Sequence, residues 1–319
     1  MTETENVRDE LIHMECKKDC CARAEICAAI LLSGGVSFRG MGRYGLSLTA
    51  THANASRYYF QLIKRLLGVS CEIRTGKTDR LGQLTRYELV FPEDSVSAAM
   101  DELMLRDPEG LFGIRSSPAD ELLTSPCCGA AFLKSAFITT GSLSNPEKEY
   151  SLTLTSAGED MALKLKQLLL DRGIQAGLST RRERCVVYVK DAESISAFLA
   201  ITGAHTAMLA LENVRIVKDL RNQANRMANC DRNNIRRTVR SAGAQIEKIR
   251  FLAQAVGIDK LPEWAREIAS LRLEDPEASL TELGEMCDPP IGKSGVNNRL
   301  RRLCEMADRL REDSHLDEI

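Results

Sequence analysis

Apolar positions along this chain fall into short blocks whose spacing switches between helical and extended periods. The block CCARAEICAAILLSGGVS, Cys20 to Ser37, reads as a helix running into a glycine turn. CCGAAFLKSAFITTGSLS, Cys127 to Ser144, repeats the pattern. After each turn comes strict alternation, YGLSLTA from Tyr44 and YSLTLTS from Tyr150, which predicts a strand. Amphipathic helices follow, YYFQLIKRLLG ending at Gly68 and MALKLKQLLLDRG ending at Gly173, each with a glycine expected as its C-cap. RYELVF and RCVVYVK then predict a second strand in each half, and VSAAMDELM and SISAFLAITG a closing helix.

Element order is therefore duplicated. With Cys127 laid on Cys20, Ala131 falls on Ala24, Ser135 on Ala28, Thr140 on Ser33, Gly141 on Gly34 and Leu143 on Val36. Ala24 with Ala28, and Ala131 with Ser135, put small residues four apart on one helix face, where two helices can approach closely. Two such halves predict a pseudo-two-fold α+β domain with the leading helices at its centre and one continuous sheet. Gly40, Gly42 and Gly45 spell GMGRYG, a literal G-x-G-x-x-G. A dinucleotide site needs a strand before the glycines and a helix after them. Here the order is inverted, and a hairpin or connecting loop is expected instead.

Beyond the repeats, Val217 to Val256 contains no proline. Ile235, Val239, Ala242, Ile246, Ile249 and Val256 recur at steps of three and four, with Leu252 or Ala253 in the gap, which predicts a helix with one apolar stripe. Arg236, Arg237 and Arg240 lie opposite it, suited to a solvated face or to phosphates. RNQANRMANCDRNN, just upstream, offers phosphate or base contacts, or a capping and linker region. LPEWAREIASLRLEDP predicts a helix with Trp264, Ile268 and Leu271 inward and a proline stop. Ser279 and Glu282 form a capping box for ASLTELGEMC, with Leu280, Leu283 and Met286 inward and Gly284 allowing a close neighbouring helix. DPPIGK breaks that helix, and Ser294 is expected to cap the last one. There Val296, Leu300, Leu303, Ala307 and Leu310 share an arc, while Ser294, Asn297, Asn298, Arg301 and Arg302 lie opposite. A short capped helix, a turn, and a helix exposing Asn and Arg in its first turns is the pattern of a helix-turn-helix.

Composition narrows the alternatives. The 319 residues are 44% hydrophobic and 28% charged, ordinary for a globular chain with two or three modest domains. No stretch approaches the eighteen or so apolar residues of a membrane span, and the acidic N-terminus is expected not to be a secretory signal. Net charge is −2, so positive charge is local to the 215–250 region rather than global. Eleven cysteines include two adjacent pairs but no C-x2-C, and four histidines form no ligand pattern. Reduced thiols packing as small apolar side chains are expected, with no metal site and no cofactor. Aromatics are only 5%, which weighs against RNA recognition by stacking.

A doubled helix ending in a small residue, glycine, serine and Val or Leu, followed by strands, resembles the LAGLIDADG homing-endonuclease fold. That resemblance implies an acidic metal ligand just before each glycine, where this chain has Ser33 and Thr140. Neutral hydroxyls do not replace paired carboxylates around divalent metals. No catalytic residue is therefore expected; Glu25 and Glu147 are the substitute acids nearby in sequence, and neither has a partner in the other repeat. The doubled cysteines, the Asn/Arg-rich helix, LPEWAREIASLRL, PEASLTELGE and KSGVNNRLRRL together resemble the WhiA family of bacterial regulators along essentially the whole chain. The resemblance implies a degenerate homing-endonuclease domain joined to a helix-turn-helix, and a role in sporulation and cell division. Asn298 stands where His is expected in many members, a swap expected to tune base choice.

The expected fold is α+β: a pseudo-two-fold LAGLIDADG-like duplicated domain followed by an all-α helix-turn-helix domain. Residues 1–120 form the first repeat with an N-terminal arm, 121–214 the second, 215–257 a basic linker helix and 258–319 the helix-turn-helix domain. The expected function is non-enzymatic, sequence-specific transcription regulation, with a protein-interaction scaffold as the rival. Double-stranded DNA at promoters is the expected partner, and RNA polymerase, a sigma factor or a division protein are further candidates. The expected place is cytoplasmic and nucleoid-associated. DNA contacts are assigned to Lys293, Ser294, Asn297, Asn298, Arg299, Arg301, Arg302, Arg236, Arg237 and Arg240, with Arg299 reaching a phosphate.

Overall fold

In the computed structural model the chain divides into two compact units, Met1–Lys218 and Asp219–Ile319. The structure describes residues 2–40, 43–77, 85–107, 109, 113–181 and 184–316.

In the first unit, helix α1 (Glu3–His13) precedes two copies of one arrangement. The first is α2 (Asp19–Ser33), β1 (Gly35–Gly40), β2 (Arg43–Ala50), α3 (Ala53–Leu67), β3 (Glu72–Lys77), β4 (Thr85–Val90) and α4 (Glu93–Glu102). The second is α5 (Pro126–Thr140), β5 (Gly141–Leu143), β6 (Leu152–Ser156), α6 (Glu159–Leu170), β7 (Gly177–Arg181), β8 (Arg184–Val189) and α7 (Ala192–Thr202). Both sheets are antiparallel and run in the same order, β1-β2-β4-β3 and β5-β6-β8-β7.

The single continuous sheet expected from the duplication is thus two four-stranded sheets. The strands read from sequence, β2, β4, β6 and β8, are the two central strands of each. Their alternating Leu, Val and Tyr residues give the period-two signal. The edge strands β1, β3, β5 and β7 are short or largely exposed, and few of their apolar side chains, such as Val36, Leu143 and Leu178, reach the core.

Helices α2 and α5 pack along one another at the centre. Ala24, Ala28, Ala131 and Ser135 are all buried there. The approach is close enough for Ser135 Oγ to donate to the Glu25 main-chain oxygen at 2.6 Å and to meet Tyr59 Oη at 2.8 Å. Gly68 caps α3 in the left-handed region at φ 68°, as its position predicts. The corresponding helix α6 is capped two residues sooner by Asp171, and Gly173 makes a left-handed turn beyond it. Gly40 ends β1 and Gly45 lies inside β2, so that glycine motif joins two paired strands; Gly42 lies outside the described residues.

The N-terminal arm is a helix that the sequence reading left unassigned. Thr2 and Glu5 cap it reciprocally, and Val7 and Leu11 enter the core. Its outer residues tie distant segments together. Thr4 exchanges hydrogen bonds with Leu143, Arg8 Nη2 donates to the Gly141 carbonyl at 2.6 Å, and Glu10 accepts from the Thr206 and Ala207 amides. Those amides open α8 (His205–Ala255), a 51-residue helix that begins well before the expected linker.

The second unit holds the rest of α8 with α9 (Glu263–Glu274), α10 (Leu280–Met286) and α11 (Lys293–Leu316). Ile249 and Leu252 of α8 join Ile268, Leu283, Val296, Leu300 and Leu303 in its core. Burying a side chain such as Leu300 or Leu303 contributes about 1.5–3 kcal/mol. The expected stripe on α8 is covered only from Ala242 onward; Ile235 and Val239 are 64% and 66% exposed because, among the described residues, no element of the unit packs over that stretch. RNQANRMANCDRNN is continuous helix rather than a capping segment.

Candidate nucleic-acid interface

Two features of the chain could meet a polyanion, one in each unit. In the first unit, Ser33 and Thr140 are the last residues of α2 and α5. Each is followed by a glycine whose amide donates back into the last helical turn. Both hydroxyls are half-buried and turned to main-chain oxygens, Ser33 to Ala29 and Thr49, and Thr140 to Ala136. They line one cleft of about 670 Å³ together with Arg8, Arg86 and Arg184 and several further hydroxyls.

Among the described residues, no carboxylate lines this cleft. Arg86 donates to Thr49 Oγ1 at 2.9 Å, and the Arg8 Nε is buried without a partner. Burial also pulls the Arg8 guanidinium below its ordinary pKa, partly offset by Glu5. The cleft is positively charged, lined by guanidiniums and hydroxyls many of whose donors already serve neighbouring protein oxygens.

The two substitute acids lie elsewhere. Glu147 is exposed in the turn after β5. Glu25 is buried midway along α2, with Lys134 Nζ 3.2 Å from its Oε1 and the Tyr58 hydroxyl donating to its Oε2. Lys134 also reaches the Tyr58 oxygen at 2.8 Å. The sequence reading missed this triad, because an acid and a lysine on two separate apolar helices show no spacing signal.

In the second unit, Ser279 and Glu282 cap α10 reciprocally, as their spacing predicts. Gly284 needs to lack a side chain both for the turn and for the neighbouring helix, since a Cβ there would also stand 3.2 Å from Val296 of α11. A Cβ there would sit 2.2 Å from the Ile291 carbonyl, within the turn, and Ile291 donates its amide to the Gly284 oxygen. Met286, expected inward, is half exposed. Helix α11 starts at Lys293, two residues earlier than a cap at Ser294 implies. The Gly292 carbonyl accepts the Val296 amide, so Ser294 lies in the first turn rather than at the cap.

Val296, Leu300, Leu303 and Ala307 are fully buried on one side of α11. Lys293, Ser294, Asn297, Asn298, Arg301 and Arg302 are exposed. Neighbours already orient some of these. Arg301 lies 3.3 Å from Asn298 Oδ1 and 3.6 Å from Glu305, and the Arg302 guanidinium stacks 4.4 Å from the Trp264 ring centre. Arg236, Arg237 and Arg240 are exposed on α8, and Arg237 and Lys293 line one small cavity.

Arg299 differs from the others. It is half-buried and donates to Glu267 of α9 at 2.8 Å, and Glu267 also accepts the Asp288 amide. A bracing role makes its replacement diagnostic. Arg299→Ala should cost about 1 kcal/mol of unfolding free energy for a half-exposed ion pair. It should leave the slope of log affinity against log salt unchanged, since loss of a phosphate contact would lower that slope by about 1. Denaturant melts and salt titrations of DNA binding read the two effects separately.

Comparison with known proteins accounts for both features. Residues 19–105 match the WhiA N-terminal LAGLIDADG-like domain, residues 129–221 the WhiA LAGLIDADG-like domain, and residues 224–307 the WhiA C-terminal HTH domain. A probable cell division protein WhiA of Heliobacterium modesticaldum is 39% identical over 302 residues, covering 94% of each chain. Its counterpart in Alkaliphilus metalliredigens is 36% identical over 316 residues, covering 98% of this chain and 100% of the relative. The crystal structure of full-length DUF199/WhiA from Thermatoga maritima shares the fold with a TM-score of 0.58 at 23% identity, over 97% of this chain and 98% of that one. A duplicated LAGLIDADG-like domain whose helices end in Ser33 and Thr140, followed by a helix-turn-helix, places this chain in the WhiA family.

Proposed function

We propose that the chain is a sequence-specific, DNA-binding transcription regulator acting in cell division and sporulation. Helix α11 enters the major groove, and Arg236, Arg237 and Arg240 neutralise phosphates. The carrying observation is the two-sidedness of α11. Its buried face is apolar without interruption, while its first turns expose Asn297, Asn298, Arg301 and Arg302. Arg pairs bidentately with guanine and Asn with adenine, so these side chains suit base edges. The names of the relatives, probable cell division proteins, support the link to division.

On this reading the repeat domain grips DNA without cutting it. Clustered anionic oxygens hold the divalent ions of such nucleases, and the cleft at Ser33 and Thr140 offers hydroxyls and guanidiniums instead. Residues 1–120, 121–214, 215–257 and 258–319 serve as first repeat, second repeat, basic helix and reading domain. Double-stranded promoter DNA in the nucleoid is the target.

Asn298→Ala and Arg301→Ala should each weaken binding to a cognate promoter roughly five- to hundred-fold, at about 1–3 kcal/mol per lost base contact. Binding to scrambled DNA should change little. Fluorescence anisotropy on both duplexes checks this, and variants within twofold of wild type on the promoter would remove α11 as the reading helix.

A protein-interaction scaffold is the second reading, favoured by the exposed Leu209, Leu220, Met227, Ile235 and Val239 along α8. A scaffold would bind promoter and scrambled duplexes equally and lose both together with salt.

A further inference from the structure

Cys20 and Cys21 are the second and third residues of α2, and Cys127 and Cys128 hold the same places in α5. Because the two helices pack side by side in the same sense, their first turns meet. The four sulfurs lie within 4.8 Å of one another, with Cys20 and Cys21 Sγ 4.0 Å apart. All four are free thiols; Cys128 is buried and the others are half-buried. We propose that these four cysteines form a tetrathiolate site for one zinc-type divalent ion, which fastens the two repeats together at the start of their central helices.

The geometry selects a single ion. Zinc–sulfur bonds of about 2.3 Å put the corners of a tetrahedron about 3.8 Å apart. The present spacings need a contraction of about 1 Å or less to reach that value, within the reach of small χ1 rotations. An iron–sulfur cluster would interpose sulfide and need its cysteines spread further apart. Four protein sulfurs also leave no coordination position for water, so the site is of the closed, structural kind.

The surroundings suit the charge. Four thiolates and a divalent cation carry a net −2, and the ends of both helices that face them are positive. Neither N-cap residue, Lys18 or Ser125, satisfies the first-turn amides with its side chain. In α5 Pro126 has no amide and the Cys128 amide donates to the Ser125 carbonyl, which leaves the first turn of α2 and the Cys127 amide to face sulfur, where a helix N-terminus stabilises thiolate. Lys17 and Lys18 line the shallow cavity beside Cys21. Arg172 places its guanidinium on the Pro126 carbonyl at 3.1 Å, next to Cys127. Plain packing of thiols explains less, because the sulfurs cluster on one another while three of the side chains remain partly exposed. The site lies at the opposite end of α2 and α5 from Ser33 and Thr140, and a 15-residue helix is about 20 Å long. The ion would therefore act on the scaffold and not in the cleft.

The test uses the full chain, purified untagged and kept reduced. Elemental analysis should find about one zinc per chain. After removal of zinc with a chelator, titration with cobalt chloride should produce the visible bands and sulfur-to-metal charge transfer of a tetrahedral cobalt tetrathiolate. Chelation should also lower the melting temperature, and zinc should restore it. Replacing Cys20 and Cys21 together, or Cys127 and Cys128 together, by Ser should abolish the cobalt spectrum. Cys230→Ser, on the exposed part of α8, should keep it. A reduced wild-type chain that carries under about a tenth of an equivalent of metal and gives no cobalt bands overturns the proposal, whatever the variants do. So does a cobalt spectrum that survives loss of all four cysteines.

Discussion

Lys134→Met is expected to destabilise the repeat domain by about 3–5 kcal/mol, the cost of breaking a buried pair by removing one partner. Lys134 and Glu25 are 5% and 2% exposed, on α5 and α2 respectively. Lys134 Nζ touches three oxygens: Glu25 Oε1, the Tyr58 hydroxyl and the Met14 carbonyl. Methionine preserves most of the aliphatic stem, so little packing is lost. The Glu25 carboxylate, however, loses its cationic partner and keeps Tyr58, a phenol whose pKa burial has raised and which therefore stays a donor. Combining Lys134→Met with Glu25→Leu should recover most of the loss, since an apolar pair of similar volume often replaces a buried ion pair at no net cost. Urea denaturation of the four proteins in the cycle measures the coupling. A single-variant loss below about 1 kcal/mol would mean that water reaches the carboxylate.

Gly34→Ala should cost about 3 kcal/mol, the upper end for overpacking, because the atoms in the way are backbone. A Cβ on Gly34 would stand 2.3 Å from the Ser47 carbonyl and 2.7 Å from that of Ile30. Neither can rotate away, since the first belongs to the β2 ladder and the second accepts the Gly34 amide. Gly141 is equally tight against the Phe137 backbone. Gly35→Ala is the control, with its nearest neighbour, the Ser47 hydroxyl, at 3.8 Å. Thermal melts should show a drop of several degrees for Gly34→Ala, about 2–4 °C per kcal/mol in a domain of this size, and almost none for Gly35→Ala.

These two cases mark what the sequence could and could not convey. Gly34 and Gly141 are legible as a pair because the duplication sets them against each other and the strand must leave the helix without a side chain in the way. The central strands, the capping box at Ser279 and the inward face of α11 are legible for similar reasons, since each is a local pattern with a fixed period. The edge strands show no period-two signal because they are short and set few apolar side chains on the core. The stripe on α8 was read too far, because periodicity shows which residues could be buried and not whether a partner covers them. The cap lies two residues before Ser294 because Gly292 opens the same turn. Arg299 could not be sorted from Arg301 without Glu267, which lies on another helix. The Glu25–Lys134 pair and the meeting of the four cysteines depend on how the two halves dock, and no spacing rule within one half encodes that.

The clasp formed by α1 has a consequence for biosynthesis. Glu10 holds the amides of Thr206 and Ala207, and Thr4 and Arg8 hold Leu143 and Gly141. Helix α2 likewise lacks its main partner until α5 exists. A ribosome making this chain therefore extrudes a first half whose most apolar helix must wait, unsheltered, through the translation of the second, and whose opening segment is secured last of all. Nascent chains paused between the repeats should attract chaperones, whereas those released past Ala207 should not.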